Sequence, residues 1–188
     1  MKKQKKIIIL LVAIIAIIFT AQGIIAYLTD TKTVDNVFVI GSVSIKLEEP
    51  NWEETNGINI TPGKVIKKDP TIINDGKNSA YVYIKVEVPK VTLNSGSKGA
   101  LFTYAVNNEW EEITSKTESK EDSIVKVYYY KTALDSQEVT TPLFDTVSVA
   151  DYDVSIDNTQ TIRVTGYAIQ SENLPSGSDI NLAYTNNF

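Results

Sequence analysis

Beyond residue 30, apolar and polar positions alternate with a period of two, and no stretch keeps a helical stripe for three turns. Ser79 to Val88 is the clearest case. Ala80, Val82, Ile84, Val86 and Val88 fall on one face, Tyr81, Tyr83, Lys85 and Glu87 on the other, and Pro89 follows as the expected stop. Phe38 to Leu47 reads as a second strand, with Gly41 as a bend, and Ile124 to Lys131 and Thr161 to Gln170 add two more. Lys64 to Ile73, Leu101 to Val106 and Leu143 to Val149 carry weaker forms of the pattern. Turn chemistry separates these runs at Thr61-Pro62-Gly63, Asn94-Ser95-Gly96, Asn107-Asn108 and Asp157-Asn158. The stretch Asn74 to Asn78 reads as a hairpin connection. Residues 107–122 are polar and acidic and read as a loop excursion, anchored by Trp110 and Ile113. About seven short strands with spaced turns predict an all-β chain folded as a single β-sandwich, Ig-like or jelly-roll in layout.

The first 26 residues have a different character. Met1 to Lys6 is basic, Ile7 to Phe19 is unbroken apolar sequence, and Thr20, Gln22 and Gly23 follow, then Ala26. A basic start, a short apolar helix and a small-residue exit are the parts of a secretory signal, and lysines ahead of the apolar run hold the N-terminus inside while the rest is delivered outside. Ala21-Gln22-Gly23 offers a small-x-small cleavage site. The run to Leu28 is also long enough for a retained anchor, the only membrane contact the sequence implies. Both readings place residues 27–188 outside the cell as one domain.

Composition narrows the chemistry. The chain has no Cys and no His, which removes thiol chemistry, disulfides, the commonest general base and the usual zinc ligands. Setting aside Lys2, Lys3, Lys5 and Lys6 leaves 14 basic against 23 acidic side chains, with Arg163 the single arginine. Such an acidic domain lacks the basic face that nucleic-acid binding needs.

Candidate sites are few. Asp151, Asp153 and Asp157 are spaced like oxygen ligands, but Ile156 stands where a calcium loop needs Gly and no bidentate Glu follows, so an acidic turn is the expectation. Glu48, Glu49, Glu53 and Glu54 flank Trp52. Two of them could serve a hydrolase, but adjacent acids on a loop are not held apart across a cleft, and a solvated loop with Trp52 packed on the domain is expected. Leu174 to Ser178 reads as a turn. No catalytic, metal or cofactor site is expected. The residues leave three readings open: a structural protein, a monomeric surface adhesin, or an extracellular hydrolase.

Three stretches together resemble the TasA/camelysin family of exported proteins processed by SipW-type signal peptidase. They are GIIAYLTDTKTVDNVFVIGSVSIKL (Gly23 to Leu47), ITPGKVIKKDPTIINDGKNSAYVYIKVEV (Ile60 to Val88) and VTGYAIQ (Val164 to Gln170). Pro89 to Asp157 matches the family poorly. The resemblance implies a jelly-roll-like sandwich, cleavage between Ala26 and Tyr27, and a role as a fibre-forming matrix or cell-surface protein, with other copies or related matrix subunits as partners. It also implies that the freed segment 27–37 completes the sheet of a neighbour. Thr29, Thr31, Thr33, Val34 and Val37 suit that role, since all favour extended backbone and no Pro interrupts the ladder. The alternative is that this segment is a flexible lead-in or the first strand of its own domain.

Overall fold

A computed structural model describes residues 42–153 and 159–172, all within the unit Ile40–Phe188. Strand is the dominant regular structure of these residues, with two short 3-10 turns and no helix long and apolar enough to cross a membrane. The leader and residues 27–41 lie outside them, as do Gly41, Asp157 and the turn Leu174 to Ser178.

The strands are β1 (Ile45–Glu48), β2 (Val65–Lys67), β3 (Thr71–Asn74), β4 (Ala80–Thr92), β5 (Lys98–Ala100), β6 (Phe102–Thr103), β7 (Trp110–Glu112), β8 (Glu118–Ser119), β9 (Ser123–Tyr130), β10 (Thr146–Val149) and β11 (Arg163–Gln170). All pairings are antiparallel. The largest sheet runs β11-β4-β9-β7, with β5 added to β4 and β8 to β9.

Two shorter sheets, β1-β3 and β2-β10-β6, are joined through the chain itself. β2 and β3 are halves of one extended run broken at Lys68-Asp69-Pro70, and residues 64–74 lie along residues 139–149 throughout. Lys64 O accepts from Val149 N–H at 2.9 Å, Lys68 N–H donates to Asp145 O at 3.2 Å, Pro70 O accepts from Leu143 N–H at 2.9 Å, and Ile73 bridges Val139. The break falls where proline removes a donor.

Both groups of strands fill one core. The second group supplies Ile66, Ile72, Phe102, Val147 and Val149. The large sheet supplies Val82, Ile84, Val86, Val88, Trp110 and Tyr128. The alternation of β4 therefore buries the face that the sequence pattern marks as apolar.

Three expectations change. Tyr83, assigned to the polar face of β4, has no exposed surface. The pairing sets Tyr167, Tyr83 and Tyr129 side by side across three strands, and they form a second apolar cluster with Val127 and Ile113 on the outer face. Strand β4 also runs through Pro89 to Thr92. The Pro89 carbonyl still accepts from Leu101 N–H at 2.9 Å, so only one ladder donor is lost. Residues 107–122 are not a plain loop, since β7, a 3-10 turn (Thr114–Lys116) and β8 lie within them. Buried Trp110, donating Nε1–H to Thr141 O at 3.0 Å, and buried Ile113 pin the segment to β9.

The core makes a quantitative expectation. Ile84→Ala should cost about 2–5 kcal/mol in urea unfolding, whereas Val65→Ala, at a position 61% exposed, should stay within about 0.5 kcal/mol.

Candidate functional site

The site residues expected from sequence, Ala26, Tyr27, Thr29, Thr31, Thr33, Val34 and Val37, lie outside the described residues. The described residues define a flank formed by β1 and β11. On this flank β1 pairs only with β3, and β11 only with β4, among the described residues. Each therefore presents one row of unpaired main-chain groups.

The two strands face each other across the core. They approach closely at Gly166, where a Cβ would sit 3.2 Å from Ile45 Cδ1 and 3.5 Å from Ile72 Cδ1. Toward Arg163 the layers part. A groove of about 580 Å3 opens between Leu47 and Glu49 on one side and Ile162 and Val164 on the other, with Trp52 and Lys68 between them. A slot of about 220 Å3, walled by Ile60, Ile66, Phe102 and Val147, shares Trp52, Lys68 and Ile162 with it.

The end of the groove is fixed by ions. Lys68 Nζ donates to both Glu49 carboxylate oxygens at 2.6 and 2.7 Å and lies 4.9 Å from the centre of the Trp52 ring. Asp69 accepts from Asn51 N–H at 2.9 Å and from Asn51 Nδ2 at 2.7 Å. Lys68 and Asp69 are both buried, so these bonds satisfy groups that would be costly to leave unpaired. The acidic loop around Trp52 is thus only partly solvated. Its partners lie 18 and 19 residues away, a separation for which the sequence carries no local signal.

The opposite end of β1 is fastened by the Asn74 to Asn78 stretch. This is not a hairpin, because β3 and β4 belong to different sheets. Instead Gly76 N–H donates to Ser44 O at 3.0 Å and Lys77 N–H to Ser42 O at 2.9 Å. A Cβ at Gly76 would lie 2.6 Å from Ser42 O, so only glycine permits this approach. Fully buried Asn74 organises the turn. Its Nδ2 donates to Leu134 O at 2.8 Å and Asn78 O at 2.9 Å, and its Oδ1 accepts from Gly76 N–H at 3.1 Å. The chain therefore enters the domain at a fixed place, Ser42 to Ser44.

A separate polar group lies between β6 and β9. Tyr104 and Tyr128 hydroxyls meet at 3.0 Å, and Tyr104 stacks on Phe144 with ring centres 4.3 Å apart. Burial pushes the Tyr104 phenol up to about 12, and burial and the Tyr104 contact raise Tyr128 as well. Nearby, Glu112 accepts from Thr117 Oγ1 at 2.6 Å and from Lys126 Nζ at 3.0 Å. Burial alone would raise its carboxyl, but these hydrogen bonds and the Lys126 charge outweigh it and hold the group below its usual value. Asp151, from the expected acidic turn, accepts from Asn94 Nδ2 at 2.6 Å.

This arrangement defines an all-β protein of antiparallel sheets, distinguished among its described residues by an open flank. The chain belongs to the camelysin family: the family model described as Camelysin metallo-endopeptidase matches residues 1–166. No curated protein and no solved structure matches it. Membership accords with a secreted or cell-surface protein of structural role. The family description also implies a metal. The sequence has no His or Cys, and among the described residues no three Asp or Glu side chains gather where an ion could be held. The described residues do not fit a catalytic metal.

Two measurements follow from these contacts. Asn74→Ala leaves Leu134 O and Asn78 O without that donor and loosens the turn, and should lower unfolding free energy by about 3 kcal/mol. In an alkaline absorbance titration, Tyr104 and Tyr128 should ionise well above the ordinary tyrosine value of 10.0. Because their folded values are raised, their contribution to stability is intact below pH 10 and is lost as the pH rises, for Tyr104 through about 12.

Proposed function

We propose that this chain is an extracellular structural subunit. Its first 26 residues direct export, signal peptidase cuts between Ala26 and Tyr27, and the remainder folds as a jelly-roll-like β-sandwich. Copies then assemble into fibres as each lends residues 27–37 to a neighbour as an added strand. The observation that carries this reading is the flank between β1 and β11, two strand edges unpaired among the described residues over a groove in which Leu47, Trp52, Ile162 and Val164 lie among Glu49, Lys68 and Arg163. Such an edge binds an incoming strand through main-chain hydrogen bonds, while alternate side chains enter the groove and set the register.

The dimensions agree. Eleven residues of strand reach about 36 Å at ~3.3 Å per residue, enough to run along all of β11. Residues 38–41 join this segment to Ser42 and span at most about 14 Å. A lent strand would therefore end within that distance of Ser42, which Lys77 N–H holds.

N-terminal sequencing of secreted protein should give Tyr27 first. A start at Met1 with membrane retention would point to an anchor. Thr31→Pro, or deletion of residues 27–34, should yield a β-rich monomer that still unfolds cooperatively but forms no filaments by negative-stain microscopy. Filaments of ordinary appearance from the truncated chain would overturn the proposal. Loss of cooperative unfolding would show instead that the segment is a strand of its own domain, which favours a monomeric adhesin.

A further inference from the structure

The Tyr104–Tyr128 group lines a cleft away from the β1/β11 flank, with a volume of about 230 Å3 and walls that include Val88, Ala100, Val106 and Ile124. Its hydrogen-bonding capacity is not used up. Two phenols carry two protons and the bond between them uses one, so the second needs an acceptor, and no other hydrogen bond from these phenols is made to a described residue. Glu112 accepts one bond on each oxygen, leaving a lone pair on each, and Lys126 has donated one of its three N–H groups to Glu112. Glu112 is paired opposite Tyr128, and Lys126 shares the same strand and face as Tyr128, so these groups converge on one place.

This set selects a chemistry. The carboxylate and ammonium neutralise each other 3.0 Å apart, so neither an anion nor a cation is favoured. What remains is a phenol donor, a carboxylate acceptor and a small apolar wall. A secondary amide bearing a methyl group answers all three, with its carbonyl on the phenol, its N–H on Glu112 and its methyl against Val106 and Ile124. The cleft is smaller than the roughly 300–1,000 Å3 of sites that enclose a drug-sized ligand, so it takes one group projecting from a larger molecule. Its mouth carries Thr103 and Lys126, polar side chains suited to ring hydroxyls. We propose that this cleft is a binding site for the acetamido group of a 2-acetamido sugar, held by Tyr104, Tyr128 and Glu112.

The test is an NMR titration of the chain as recovered from producing cells, using N,N′-diacetylchitobiose, cellobiose and N-acetyl-lysine methyl ester. Chitobiose should shift the Tyr104, Tyr128 and Lys126 signals saturably, and cellobiose, which lacks the acetamido groups, should not. Tyr104→Phe removes one phenol and should weaken chitobiose binding about five- to tenfold. Val106→Trp, at a half-buried wall position, should abolish binding by filling the cleft while unfolding stays cooperative. Equal responses to the two disaccharides, no saturable shift with chitobiose, or binding of the lysine derivative as tight as that of chitobiose would each overturn the proposal. The titration of unaltered protein decides the matter even where a variant does not fold.

Discussion

The pairing of β1 with β3 is short, four residues against four, and the rest of the flank depends on its being fastened at both ends. At one end Glu49 and Asn51 reach across to Lys68 and Asp69. At the other, Gly76 and Lys77 hold Ser44 and Ser42. A two-stranded ribbon of this length would not be stable in water by itself. Here its inner side chains, Ile45 and Leu47, also pack against the main core. These fastenings hold β1 as one wall of the groove that faces β11.

The Lys68–Glu49 pair illustrates why the balance is delicate. Lys68 is 7% exposed, and a charge at that depth is costly unless it is paired with good geometry. Two carboxylate contacts below 2.8 Å and an aromatic face supply that geometry. The arrangement adds less net stability than specificity of placement. It requires the loop from Glu49 to Trp52 to lie in one position, so that Trp52, though still exposed, forms part of the groove wall.

Much of this was legible in the sequence, and the reasons for the rest are physical. Period-two alternation marks β4, β9 and β11 because each buries one face against a common core, and that constraint is local. The crossing at Asn74 to Asn78 was not legible as such. An Asn-Asp-Gly stretch satisfies a tight hairpin equally well, and only the distant Ser42 and Ser44 carbonyls decide the outcome. Tyr83 was misplaced for a similar reason: its burial arises from Tyr129 and Tyr167 on neighbouring strands, partners that alternation within one strand does not reveal. Trp110 and Ile113 were rightly read as anchors, but the strand they anchor needs β9 beside it before it exists. The Tyr104–Tyr128 cleft joins a residue just after β6 to one on β9, in separate sheets, and nothing in either local sequence marks it.

The open flank also bears on why such a chain would stay soluble before it meets a partner. Exposed edges invite indiscriminate pairing, and charged side chains on or beside an edge are one means of limiting it. Here β1 turns Lys46 and Glu48 outward, and β11 begins at Arg163, whose side chain is 74% exposed. The acidic excess beyond the first 26 residues adds long-range repulsion between copies, screened over about 8 Å at physiological salt. Repulsion of that kind opposes approach in any orientation. Main-chain pairing, by contrast, forms only when a strand lies along the edge in register, and it is strong only when alternate side chains find the groove. Under the proposed function, the same features that discourage random contact leave a specific strand as the favoured occupant of the flank.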